Sequence, residues 1–125
     1  MKTYSGKRHI TGATEVWVLD GQGGRILDPA PSLKLRNHSP TGFEWGYQGS
    51  GPAQLALAIL LDYTGDADLA QRHYQLFKCE VLAGQGNTFV LTSQTIDRWL
   101  GHHGALVARP AMTAAQHNAF PKGRW

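Results

Sequence analysis

The chain has 125 residues, 42% of them hydrophobic and 17% charged, and a net charge of +3 with the histidines neutral. That length suits one domain with a modest core, and twelve Lys and Arg spread along the chain do not make the clustered basic face of a dedicated nucleic-acid binder. A single cysteine, Cys79, rules out an internal disulfide and argues against a thiolate zinc site. No stretch approaches the ~20 apolar residues that span a bilayer. No apolar signal region follows Met1-Lys2-Thr3-Tyr4, so the sequence points to a cytoplasmic protein.

In chain order, residues 2–10 and 14–19 read as strands. The second is rich in β-branched and aromatic residues (Val16, Trp17, Val18). Thr11-Gly12-Ala13 is short enough for a hairpin turn, and Asp20-Gly21-Gln22-Gly23-Gly24 is a strong turn signal leading to a third strand around Arg25–Leu27. Asp28-Pro29-Ala30-Pro31 ends that strand, and Leu33–Arg36 reads as a further short extended piece. The first third is thus an antiparallel meander.

A helix is predicted from Pro52 to Tyr63, apolar nearly all round and therefore central, with Gly65 as its terminator. Asp66 caps a second helix from Ala67 to Leu82, whose core stripe is Leu69, Ala70, His73/Tyr74, Phe77 and Val81. Cys79 reads there as a small buried or half-buried side chain. Their short connection predicts a helical hairpin. Thr88–Leu91 reads as a strand, and Thr92 or Ser93 caps a third helix from Gln94 to Leu100, stopped by Gly101. The expected fold is α+β, with an N-terminal meander packed against a helical hairpin and a further short strand and helix. Residues 1–104 form the expected compact domain and 105–125 an extended tail.

The stretch Asn37–Leu61 draws the functional argument. Its first half crowds His38, Glu44, Trp45, Tyr47 and Gln48 into a loop, the kind of segment that carries recognition on a rigid scaffold. Its junction, Gly49-Ser50-Gly51-Pro52, feeds a helix, with Ser50 or Gly51 as N-cap and Pro52 in the first turn. Free N–H groups there, with the Ser50 hydroxyl, suit an anion. The junction is neither GxxxxGK[ST] nor GxGxxG, and Gly49-Ser50-Gly51 lacks the GxSxG spacing of a nucleophile elbow. His38 and Glu44 are the one acid/base pair the loop offers, and the alternation of Phe43, Trp45 and Tyr47 equally predicts packing. The six histidines form no compact ligand pattern. No catalytic residue, metal or cofactor is assigned.

The blocks SPTGFEWGYQGSGPAQLALAILLDYTGD, AQRHYQLFKCEV and Phe89–Ser93 resemble a family of small uncharacterised proteins, DUF6166-like, over roughly residues 1–100. That family has glycine at the position of Gln48 and tryptophan at that of Cys79, so the chain departs from its pattern there. The resemblance implies bacterial, phage or mobile-element origin and supplies no activity.

Two functions follow as expectations. The first is a small non-enzymatic binding protein, in its concrete form a phage- or plasmid-encoded anti-defence (anti-CRISPR-like) inhibitor docking on a protein or ribonucleoprotein complex. Its contacts would be His38, Glu44, Trp45, Tyr47 and Gln48, supplemented by Arg109, Lys122 and Arg124. The second is a nucleotide or phosphate-binding domain with weak hydrolytic activity, built on Ser50 and Gly51.

Overall fold

A computed structural model of the chain describes residues 1–105. Residues 106–125, expected to form the tail, lie outside the described residues, and with them Arg109, Lys122 and Arg124. Two compact units divide the chain, one from Met1 to Ser93 and one beginning at Gln94.

The predicted strands form one sheet in the order β3-β2-β1-β4, made of β1 (Thr3–Arg8), β2 (Thr14–Asp20), β3 (Gly23–Ile26) and β4 (Thr88–Thr92). Every neighbouring pair is antiparallel. The meander is β1-β2-β3. The late strand β4 returns to the free edge of β1, a pairing across more than eighty residues that no local pattern announces. Alternation along the strands sorts the faces. Tyr4, Val16, Val18, Phe89 and Leu91 are buried on one side, while Trp17, Leu19 and Val90 point the other way and stay exposed.

Of Leu33–Arg36, expected to be extended, only Arg36 is. Ala30–Leu35 forms a short helix, α1. Pro29 and Pro31 fall before and within its first turn, where a missing N–H removes no intrahelical bond. The Asp28 carboxylate accepts the Ala30 N–H at 2.9 Å. The prolines read as strand terminators therefore start a helix.

The central helix α2 (Ser50–Thr64) carries an unbroken run of buried residues from Gly51 to Leu60, as its all-round apolar pattern predicts. Its N-cap is Gly49, which has no side chain to cap with, so neither Ser50 nor Gly51 takes that role. α2 packs beside α1 on one side and α3 (Ala67–Phe77) on another. Gly65 closes α2 in the left-handed conformation, and Asp66 accepts the Leu69 N–H at 3.0 Å to open α3. At its C-terminal end Asp62 gathers three donors from the sheet side: Lys2 Nζ at 3.1 Å, the Tyr4 hydroxyl at 2.6 Å and Arg25 Nη2 at 2.7 Å.

The helical path reaches Leu82 as predicted, but its last turn, Lys78–Leu82, is a π-helix. The wider turn inserts one residue into the stripe after Phe77. Leu82 is therefore fully buried in place of Val81, and Cys79 is exposed rather than buried. The Leu82 carbonyl accepts the N–H of Gly46 at 2.9 Å and that of Gln85 at 3.2 Å.

The second unit carries α4, which spans Ser93–His102 and passes through Gly101, where a stop was expected. A turn follows it, in which Gly104 adopts a positive φ of 73°. The rings of Trp99 and His103 meet in its last turns with centroids 4.2 Å apart. Among the described residues no helix is long and apolar enough to cross a membrane.

Candidate functional site

The loop from Arg36 to Gly49 is held by groups that lie far away in sequence. Gln54, buried on α2, accepts the backbone N–H groups of His38 and Ser39 and donates to Ser32 Oγ and the Arg36 carbonyl. Arg8, the last residue of β1, reaches Glu44 Oε1 at 2.8 Å, the Trp45 carbonyl at 2.8 Å and Asn87 Oδ1 at 2.9 Å. Its guanidinium also lies 4.9 Å from the Trp45 ring centroid, a cation–π contact. Gly46 has a φ of 90°, and a Cβ there would stand 2.9 Å from the Gln85 carbonyl oxygen, so both backbone conformation and close approach require glycine.

Trp45 is not a contact residue. It has no exposed surface, its Nε1 donates to the Gly86 carbonyl at 2.7 Å, and its ring meets Phe89 edge to face at 4.8 Å. Phe43 is also buried, so the alternation Phe43-Trp45-Tyr47 is a packing pattern for its first two members. Tyr47 breaks from it and is 49% exposed.

His38 and Glu44 do not form an acid/base pair. The His38 ring hydrogen-bonds the Tyr74 hydroxyl at 2.7 Å, whereas Glu44 is engaged by Arg8. Gln48 is exposed and its Oε1 accepts from Cys79 Sγ at 3.1 Å.

The structure brings Glu44, Tyr47, Ser50 and Gly51 to one open cleft of about 710 Å³, within the size range of ligand sites. Its other wall is the β1–β2 turn with Glu15, together with Ile26 and Leu27 at the end of β3. The floor is apolar through Val16, Leu27 and Phe43, and Thr14, Ser39, Thr41 and Ser50 contribute hydroxyls. Thr14 is fixed by donating to the Phe43 carbonyl at 2.8 Å.

Glu44 is the carboxylate on the cleft side, whereas that of Glu15 turns to the outer face of β2 beside Trp17. Glu15 accepts from Trp17 Nε1 at 2.9 Å and contacts His9 Nε2 at 2.5 Å. The Trp17 bond first, and then His9, hold its carboxyl below the ordinary carboxylate value. Glu44 lies directly against the helix start: a Cβ on Gly51 would fall 2.6 Å from Glu44 Cβ. The junction expected to cradle an anion is therefore packed against an acidic residue. Among the described residues no group of three or more His, Cys, Asp or Glu is placed to hold a metal ion.

Sequence reasoning missed Gln54, Arg8 and Glu15. Gln54 carried a signal, as the one polar side chain between Ala53 and Leu61. Arg8 and Glu15 carried none, because their roles depend on which loop meets the end of the sheet.

A family model described as a family of unknown function, DUF6166, matches residues 4–102. No curated protein and no solved structure matches the chain.

Proposed function

The chain belongs to the DUF6166 family, a family of unknown function, and from that premise we propose that it is a small non-enzymatic binding protein that docks on another protein. The observation that carries this reading is the cleft beside the loop. Its apolar floor, its hydroxyls and the exposed Tyr47 suit an inserted protein segment, and Glu44 favours a segment with a basic side chain. Hydrogen-bonding groups around a buried apolar centre are the usual anatomy of such contacts. The engagement of His38 by Tyr74 and of Glu44 by Arg8 supports recognition over acid/base chemistry. Glu44 against the start of α2 weighs against a phosphate-containing ligand. The concrete partner we carry forward is an effector complex of a host defence system, reached by a chain of phage or mobile-element origin; the accessible cleft supports it.

The test is a binding titration of the full chain against candidate effector complexes, beside the double variant Glu44→Gln/Tyr47→Ala. Binding by the native chain, weakened at least tenfold in a variant with an unchanged circular dichroism spectrum, supports the reading. Undiminished binding by the folded variant removes the cleft from it. A thermal-shift panel of nucleotides tests the other ligand class: a ligand at a hundred times its dissociation constant stabilises by about 2.7 kcal/mol, and a shift of that size would replace protein docking with small-molecule binding.

A further inference from the structure

The face of the sheet opposite the buried one is open and apolar. Trp17 is 38% exposed, Leu19 41%, Ile26 51% and Val90 64%. Four large apolar side chains on one flat face form the kind of patch that marks an interaction site. The strand register places them and their neighbours in rows across the sheet. One row reads Ile26, Trp17, Ser5, Val90, and the next reads Gly24, Leu19, Thr3, Thr92. A third holds Glu15, Lys7 and Thr88. Large residues on β2 thus lie beside small ones on β1, and an acidic residue on β2 lies beside a basic one on β1.

We infer that this face is a homodimer interface, in which a second copy of the chain stacks sheet on sheet about a two-fold axis running along the strands between β1 and β2. The argument is one of symmetry. The order β3-β2-β1-β4 is balanced about the line between β1 and β2. Rotation by half a turn about that line lays each strand of one copy over its mirror position in the other, β1 over β2 and β4 over β3. Each outward residue of β1 or β2 then faces the partner copy of its own neighbour across that line, and the edge strands β3 and β4 face each other. Trp17 falls over Ser5, Leu19 over Thr3, and Ile26 over Val90. Lys7 falls over Glu15.

Every one of these matches is complementary: large on small twice, apolar on apolar once, and opposite charges once. The contact is isologous, as a two-fold dimer requires, and the natural twist of each sheet offsets the strands by about 30° at a spacing of about 10 Å. The Glu15 carboxylate already accepts from Trp17 and His9, yet an ionised carboxylate offers about four acceptor sites, so a lysine from the second copy has room to bind. A face of four short strands removes on the order of 1,000 Å² in total when stacked on its copy, near the lower bound for a specific interface. The dimer is accordingly concentration-dependent. Leu19 and Val90 lie outside the cleft described above, whereas Glu15 and Ile26 line it, so the two aspartate variants are what separate this inference from the proposed function.

The experiment is sedimentation velocity of the full chain from about 1 to 500 μM, a range that brackets the affinity of small, reversible interfaces. The native chain is expected to shift from monomer to dimer as concentration rises. Leu19→Asp and Val90→Asp, each carrying a charge on the outer face only, are expected to stay monomeric while retaining the native circular dichroism spectrum. The charge pair tests the register. Glu15→Lys should weaken the dimer at least fivefold, and Lys7→Glu/Glu15→Lys should restore it. A native chain that is monomeric at the highest concentration overturns the inference. So does a dimer that both aspartate variants leave intact, or one that the charge swap does not rescue.

Discussion

Gln54 and His38 lie sixteen residues apart and meet where the backbone N–H of His38 donates to Gln54 Oε1 at 2.7 Å. The same side chain takes the Ser39 N–H at 3.1 Å and gives its two amide hydrogens to Ser32 Oγ at 2.9 Å and the Arg36 carbonyl at 3.0 Å. A fully buried amide with all its hydrogen-bonding capacity used costs little to bury, whereas the groups it serves are expensive to orphan. Gln54→Leu keeps the volume and removes every bond. It is expected to lower stability by about 2–4 kcal/mol, read from the urea midpoint. A change below about 0.5 kcal/mol, the range of an ordinary surface substitution, would show that water or rearrangement replaces the amide.

What the sequence made legible were features decided within a few residues. The alternation Val16-Trp17-Val18, the Asp20–Gly24 turn, the apolar run after Pro52 and the Asp66 cap each fix their own element. Features decided across the fold were not legible. The six residues of α1 are too few to show a period, so its prolines read as breaks. The π-turn moved the stripe from Val81 to Leu82, at a residue whose carbonyl accepts from Gly46, far away in sequence. The site was half legible. Glu44, Tyr47, Ser50 and Gly51 do converge, but Arg8 and Gln54 position the loop from elements that sequence proximity does not connect to it.

Asp62 ties α2 to β1 and β3, with its side chain only 18% exposed. Burial pushes its carboxyl up, but the bonds from Tyr4, Arg25 and Lys2 outweigh that and hold it below the ordinary 3.8. Burial, with the neighbouring carboxylate, raises the Tyr4 hydroxyl well above its usual range, so it remains a donor. The folded carboxyl therefore binds its proton at lower pH than the unfolded one. Its contribution is present above about pH 4 and is lost as pH falls through the folded value. Asp62→Asn is expected to cost roughly 1–3 kcal/mol at pH 7, and the gap to the native chain should narrow toward pH 2. Urea midpoints at pH 7, 5, 3 and 2 measure it, and a gap independent of pH would contradict the assignment.

Gly6 and Phe89 are cross-strand partners on the buried face. A Cβ on Gly6 would stand 2.1 Å from Phe89 Cε2, inside any tolerable contact. The ring covers the glycine, and it is held from the other side by its edge-to-face contact with Trp45. Gly6→Ala should cost about 1–3 kcal/mol through overpacking. Phe89→Leu removes the clash and also the Trp45 contact, so it is destabilising alone. The double variant should be more stable than the sum of the two losses by more than about 0.5 kcal/mol, the signature of coupled neighbours. Strict additivity in a double-mutant cycle would mean that β1 and β4 do not pair in this register.

Trp45 and Tyr47 sit two residues apart and separate packing from recognition. Trp45→Ala removes a fully buried ring, its bond to Gly86 and its contacts with Arg8 and Phe89. A loss of about 3–5 kcal/mol is expected, a large share of the stability of a small domain. Tyr47→Ala removes a half-exposed ring at the cleft and should cost less than about 1 kcal/mol. The two variants therefore fail differently in a binding assay. Trp45→Ala loses binding together with its thermal transition, whereas Tyr47→Ala loses it with the transition in place. A stable Trp45→Ala protein would mean that the loop can close over the vacancy without its ring. Arg8 would then hold the chain through Glu44, Asn87 and the carbonyl of residue 45, without the ring, which the urea midpoint of Arg8→Ala in that background would reveal.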